Sequence, residues 1–300
     1  MFMYTVFILV VWADRRLIRQ AYYQLAVSLG FCDLFSLTVS FVYSFPSSLL
    51  QRELGGPTVN AVIGGILSIG WWSSMPTICL LAWNRYIAIS RSTSYDKYFH
   101  TKRVLIYIVI SWLIGSVTAA FSFFPCCHIL YFHSFFSWMF PPVFGSQIFL
   151  YLDIIESTAV CVFAFACHGV IFADIYRKHR AIAENLSAGQ HSQRRRKREI
   201  RLFFQLFVIT CWLLIFDVTF NALPMISTSH YAGLIIYVMY MINCSVNAYV
   251  YCIMNNSVRH GVKRMFTLVV TPATNYSRSR SGTTVGRKKS SKVLLPDQIL

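Results

Sequence analysis

Charged side chains are scarce in this chain, 13% of its 300 residues against 56% hydrophobic. A soluble domain carries about 25% charge, so the two soluble domains that the length alone would permit are excluded. The nine cysteines include no Cys-x-x-Cys pair, which removes zinc-ribbon and thioredoxin-type chemistry. There is no internal repeat and no glycine-rich phosphate loop, and no cofactor is expected. A formal net charge of +16 would suggest nucleic acid in a soluble protein, but the positions of the charges give it another meaning here.

What the chain has in quantity is apolar and aromatic, with 25 Phe and 17 Tyr. A helix needs about 20 apolar residues to cross the hydrocarbon core. Six segments meet this: Ala21–Ser44, Val59–Ile89, Val104–Phe124, Ile148–Phe172, Leu202–Leu223 and Tyr231–Cys252. A seventh apolar run, Phe2–Trp12, is about half that length and is followed at once by Arg15 and Arg16. A secretory signal has the opposite flanks. The run reads as the cytoplasmic end of a helix whose start precedes this chain; the apolar part of a signal peptide is the alternative. Of the 27 Lys and Arg, 26 fall in the first, third and fifth connections or after Cys252, and only Arg52 lies opposite. The loop Cys126–Ser146 has none. The basic side is therefore cytoplasmic. The expected fold is an all-α membrane protein of the plasma membrane, a seven-transmembrane helix bundle with a truncated first helix, its N-terminus outside and its C-terminus in the cytoplasm. The positive charge then orients the chain and meets membrane lipids of negative charge, and no nucleic acid is expected as a partner.

Beyond the last span, Asn255–Leu268 sets Val258, Val262, Met265 and Phe266 at helical spacing among Arg259, Lys263 and Arg264. That pattern fits an amphipathic helix lying in the interface. Residues 1–268 then form the membrane domain, and 269–300 a cytoplasmic tail too polar to fold. Ala183–Gln193, inside the fifth connection, reads as disordered for the same reason.

Polar groups inside hydrocarbon are expensive and each needs an explanation. The second helix carries Asp33 in Ser28-Leu29-Gly30-Phe31-Cys32-Asp33-Leu34. The third ends in Asn84-Arg85-Tyr86-Ile87-Ala88-Ile89, followed by Tyr95; the fourth holds Trp112; the seventh holds Asn243, Asn247 and Tyr251. An Arg-Tyr at the inner end of the third helix and an Asn-x-x-x-Tyr at the inner end of the seventh resemble rhodopsin-like G-protein-coupled receptors over essentially the whole chain. Within them the chain is most similar to the nematode serpentine chemoreceptors of class X. The cues are Asn84 before the Arg-Tyr and the entry Lys197-Arg198-Glu199-Ile200-Arg201-Leu202-Phe203-Phe204-Gln205 into the sixth helix.

The resemblance implies a receptor, not an enzyme, that binds a small-molecule or peptide ligand outside and activates a heterotrimeric G protein inside. It assigns coupling and activation to Asn84, Arg85, Tyr86, Tyr95 and Tyr251, with Glu199 as the acceptor that Arg85 meets at rest, because Asn84 replaces the family's usual carboxylate. It assigns a core polar network to Asp33, Ser74, Asn243 and Asn247. Asp33 and Ser74 are candidates to hold sodium, with a hydrogen-bonded packing network as the alternative reading. It also implies, upstream, a first-helix asparagine. The family's tie between the outer loop and the third helix needs a cysteine where Asn60 stands, twenty-five residues before Arg85, so that disulfide is absent or made elsewhere.

Three acids fall in the outer halves of neighbouring helices. Asp153 and Glu156 are three residues apart, and Asp217 lies near their depth on the sixth helix. With Trp71, Trp72 and Phe216 they are candidates for an apolar pocket with acidic anchors, suited to a ligand with a cationic or hydrogen-bond-donating group. Protonated carboxyls bonded to backbone are the alternative. Ser277, Ser279, Ser281, Thr283, Thr284, Ser290 and Ser291, among basic residues in the tail, are phosphorylation candidates that would recruit an arrestin-type protein. Two other functions compete: a multi-pass transporter, for which no half of the chain echoes the other, and a non-functional truncated receptor.

Overall fold

The computed structural model describes residues 1–184, 190–227 and 229–270. The bundle consists of α1 (Phe2–Ala13), α2 (Ala21–Leu50), α3 (Gly56–Ser90), α4 (Thr101–Ala120), α5 (Phe144–Glu184), α6 (Gln190–Ile226) and α7 (His230–Met254), with α8 (Asn256–Val270) following the seventh helix. Each of α2 to α7 contains a stretch long and apolar enough to cross a membrane; α1 is apolar but short. These are the six spans and the half-span expected from sequence, with ends moved by a few residues.

The spans bury unequal shares of their surface, and α4 shows why. It presents Leu105, Ile106, Val109, Ile110, Leu113, Ile114 and Val117 outward, the side that faces hydrocarbon. It buries Ser111, Gly115 and Ala119 at four-residue spacing. Small residues on one stripe let two backbones approach closely, which is how helices associate where lipid is as apolar as leucine. Trp112 adds a polar tie, its Nε1 donating to Ser28 Oγ at 3.0 Å. α3 is the central helix and packs against α2, α4 and α5.

The short α1 is seated by its own pattern. Tyr4, Phe7, Val10 and Val11 are buried, and the Phe7 ring stacks on Tyr251 of α7 with centroids 5.0 Å apart. Asn255 ends α7 and starts α8: its Oδ1 accepts from the backbone of Ser257 at 3.1 Å, an N-cap. Its Nδ2 donates to the Tyr23 hydroxyl at 3.0 Å, fixing α8 to the inner end of α2.

Two features differ from the sequence reading. Most of Ala183–Gln193 is helical, because α5 runs on to Glu184 and α6 begins at Gln190, while residues 185–189 lie outside those described. Arg, Lys, Gln, Glu and Ala are good helix formers, and once a helix is nucleated each added residue gains a bond. The outer loop, for which no element was expected, holds a hairpin of β1 (Leu130–Phe132) and β2 (Ser137–Met139), paired antiparallel with Tyr131 opposite Trp138. The tail from 271 onward, with all seven phosphorylation candidates, lies outside the described residues.

Candidate functional site

At the inner end of α3, Arg85 is buried. Its guanidinium lies over the ring of Tyr22, 3.7 Å from the centroid, at the start of α2. A guanidinium against an aromatic face is held by the ring quadrupole, most strongly where water is excluded. Tyr22 meets Tyr251 edge to face at 6.1 Å, so Arg85, Tyr22, Tyr251 and Phe7 form one aromatic nest joining α1, α2, α3 and α7. Asn84 turns elsewhere: its Nδ2 donates to the Tyr95 hydroxyl at 3.1 Å, fastening the connection after α3 to α3 itself. Tyr86 packs towards α5 and α6, near Ala164, Ile171 and Phe203. The side chain of Glu199, the expected acceptor, lies outside the described residues. Further along α6, Gln205 is fully buried, and its Oε1 lies 3.5 Å from the Tyr22 hydroxyl.

In mid-bundle, Asp33, Ser74, Asn243 and Asn247 share one cavity of about 400 Å³, also lined by Ser36 and Gly70. Asp33 Oδ2 accepts from Asn247 Nδ2 at 2.8 Å and from the Tyr4 hydroxyl. Ser74 does not turn to Asp33; its hydroxyl donates to the Trp71 carbonyl at 2.7 Å. Tyr4 of α1 is thus a first-helix partner of Asp33. Asp33, Tyr4 and Asn247 form a buried hydrogen-bonded network. Among the described residues, no group of three or more His, Cys, Asp or Glu stands at metal-binding spacing.

On the outer side lies a larger cavity of about 660 Å³. Asp153, Asp217, Trp71, Trp72 and Phe216 all line it, but Glu156 does not. Spacing alone put Glu156 with Asp153; the cavity ends before the next turn of α5, and Glu156 sits half-buried beyond it. Trp71 Nε1 donates to Asp153 Oδ1 at 2.5 Å. Asp217 Oδ1 accepts from Ser157 Oγ at 2.7 Å and from Asn221 Nδ2 at 3.2 Å. Both carboxylates therefore have neutral donors, and among the described residues no Lys, Arg or His lines the cavity. Trp71, Phe216 and Tyr240 form a triangle of rings with centroids 5.8 to 6.3 Å apart. The hairpin supplies Ser137 and Trp138 from above. Trp138 Nε1 donates to Ser44 Oγ at 3.1 Å, and Tyr131 hydrogen-bonds Ser48 through its hydroxyl. Burial pushes the Tyr131 phenol up to about 12, so it keeps its proton at any physiological pH.

Sequence reasoning missed Tyr4, Tyr22, Tyr131 and Trp138, which in a chain this aromatic carry no local signal. Cys126 and Cys127, which open the outer loop, are bonded to each other.

A seven-helix bundle with an aromatic, acid-bearing cavity on one side and an arginine nest on the other defines the architecture of a seven-transmembrane receptor. Residues 2–255 match the family described as serpentine type 7TM GPCR chemoreceptor Srx, and the chain belongs to that family. It is similar to melatonin receptor type 1C of Xenopus laevis, with 24% identity over 279 residues covering 87% of this chain and 63% of that receptor. It thus spans less than two thirds of that relative's length. Melatonin receptor type 1B of Gallus gallus is 23% identical over 276 residues, covering 87% of this chain and 92% of its own. Squid rhodopsin shares the fold, with a TM-score of 0.72 at 19% identity over 90% of this chain and 81% of that one. The family and the melatonin relatives are receptors by name, and the transporter reading is set aside.

Proposed function

We propose that this chain is a chemoreceptor of the plasma membrane, with its N-terminus outside and C-terminus in the cytoplasm, that binds a small cationic ligand from outside and drives nucleotide exchange on a heterotrimeric G protein inside. The observation that carries the reading is that one helix serves both ends. Trp71 of α3 touches the pocket acid Asp153, and Arg85 of the same helix sits in the inner nest. Ligand contact with Trp71, Asp153 and Asp217 shifts α3 relative to α6. Arg85 then leaves Tyr22 and meets acceptors on the G protein, with Tyr251, Asn84, Tyr86 and Tyr95 shaping the cleft. This is a two-state equilibrium biased by the ligand's difference in affinity for the two states. The network of Asp33, Asn243, Asn247 and Ser74 lies between the two ends and relays the change. Glu199 adds a resting acceptor on α6. Phosphorylated tail serines and threonines recruit an arrestin-type protein, and the basic face of α8 rests on anionic lipids.

The test is GTPγS loading of a G-protein panel by the receptor in membranes challenged with primary to quaternary amines. Amine-dependent loading is expected; activation by carboxylates and not by amines would contradict the ligand class. Orientation has its own check. A tag after Leu300 is expected to resist protease in intact cells and a tag inserted in the loop Cys126–Ser146 to be cleaved, and the reverse pattern would overturn every assignment of inside and outside.

A further prediction arises at the nest. Tyr22→Leu keeps bulk but removes the ring face under Arg85. Since such a contact contributes roughly 0.5–2 kcal/mol, basal nucleotide exchange is expected to rise severalfold. Unchanged basal exchange at equal surface density would show that the ring does not hold the resting state.

A further inference from the structure

The hairpin that roofs the outer cavity has no disulfide to the bundle. Cys126 and Cys127 are bonded to each other, residues 52–62 contain no cysteine, and the free cysteines among the described residues all lie in helices. We propose that Asn60 of α3 is the positioning residue that clasps this roof over the ligand pocket by hydrogen bonds.

The geometry is that of a strand supplied by a single side chain. Asn60 Oδ1 accepts from the Tyr131 backbone N–H at 2.9 Å, and Asn60 Nδ2 donates to the Tyr131 carbonyl at 3.0 Å. One amide thus satisfies both backbone groups at the middle of β1, as a neighbouring strand would. The second Nδ2 proton goes to Glu53 Oε1 at 2.7 Å. These partners leave one orientation for the amide, since a flip would set donor against donor at Tyr131 and oxygen against the Glu53 carboxylate. Asn60 itself is buried, with 3% of its surface exposed. Buried amides with every bond made hold one geometry, and losing one partner costs the desolvation of the other.

Two glycines let the roof come down to the helices. A Cβ on Gly64, one turn along α3 from Asn60, would stand 2.0 Å from the Ile129 carbonyl oxygen. A Cβ on Gly233 of α7 would stand 1.9 Å from the Phe135 oxygen. Backbone therefore meets backbone on both sides of the hairpin, and Asn60 fixes its register on α3. Trp138, directly opposite Tyr131, is thereby held against the cavity. The clasp is inert to reductants, unlike a disulfide.

The clasp's role rests on the pocket reading above, but its test needs neither ligand nor G protein, so either can fail alone. Hydrogen–deuterium exchange of the purified full chain in lipid nanodiscs follows the Tyr131 amide and the peptides around it, with and without a phosphine reductant, in wild type, Asn60→Asp and Asn60→Ala. Reduction is expected to leave Tyr131 exchange unchanged. Asn60→Ala is expected to speed it about tenfold or more, with α3 and α4 peptides at wild-type rates. Asn60→Asp keeps an acceptor for the Tyr131 N–H but sets a carboxylate oxygen against the Tyr131 carbonyl and the Glu53 carboxylate, so it is expected to speed exchange at least as much as Asn60→Ala. Faster Tyr131 exchange on reduction of the wild type would overturn the proposal, and so would wild-type exchange in Asn60→Ala. If the alanine variant does not reach the membrane, the wild type with and without reductant and Asn60→Asp decide alone: an aspartate variant exchanging at the wild-type rate would also overturn it.

Discussion

Arg85→Ala is expected to insert and reach the surface like wild type and to lose nucleotide exchange by about 100-fold or more. The guanidinium lies at the inner rim, where its removal empties a contact with Tyr22 and leaves the apolar span intact. Its resting contacts include a ring face, worth about 2 kcal/mol where water is excluded. Its active-state partners would be hydrogen-bond acceptors, and truncating one side of a desolvated charge-assisted pair costs about 2–5 kcal/mol. The substitution therefore removes more from the active complex than from the resting receptor. Arg85→Lys is expected to recover little, because an ammonium neither spans two acceptors nor stacks flat on Tyr22. GTPγS loading at matched surface density measures the effect, and full loading by Arg85→Ala would remove the argument for coupling at this end of the bundle.

The second large effect is expected at the pocket. Asp153→Asn and Asp217→Asn preserve volume, and the amide oxygens still accept from Trp71 Nε1 and Ser157 Oγ, the partners present now. What disappears is the charge. For an amine ligand held between the two acids that line the cavity, Asp153 and Asp217, losing one desolvated charge partner costs about 2–5 kcal/mol. Each variant is therefore expected to weaken amine potency about 30-fold or more, while constitutive exchange remains. Glu156→Gln is the control: it does not line the cavity, and its dose–response curve is expected to overlay wild type. Concentration–response curves for the three variants make the check. A Glu156 effect equal to the other two would return the anchor to the deeper turn of α5.

Membrane proteins declare their spans, and this chain did so to within a few residues because a helix in lipid must satisfy every backbone group itself and be long enough to cross. The Lys and Arg count gives each loop an expected side. Contacts between rings were not legible. Tyr22 and Tyr4 lie in apolar stretches where an aromatic is unremarkable, and their partners Arg85 and Asp33 are 63 and 29 residues away in the chain. The hairpin was hidden for a similar reason: three-residue strands carry too little alternation to register, and Tyr131 depends on Asn60, 71 residues distant. Asn60 itself was conspicuous only for not being cysteine. Glu156 illustrates the limit of spacing: three residues on a helix share a side, but not a depth.

Coupling between the outer pocket and the inner nest through α3 is reciprocal. The most direct measurement is the affinity of an activating amine for the receptor in nanodiscs, with and without nucleotide-free G protein, in wild type and Arg85→Ala. The G protein is expected to tighten amine binding to the wild type by about 5- to 150-fold and to leave the Arg85→Ala affinity unchanged. Equal amine affinity in wild type with and without the G protein would contradict it.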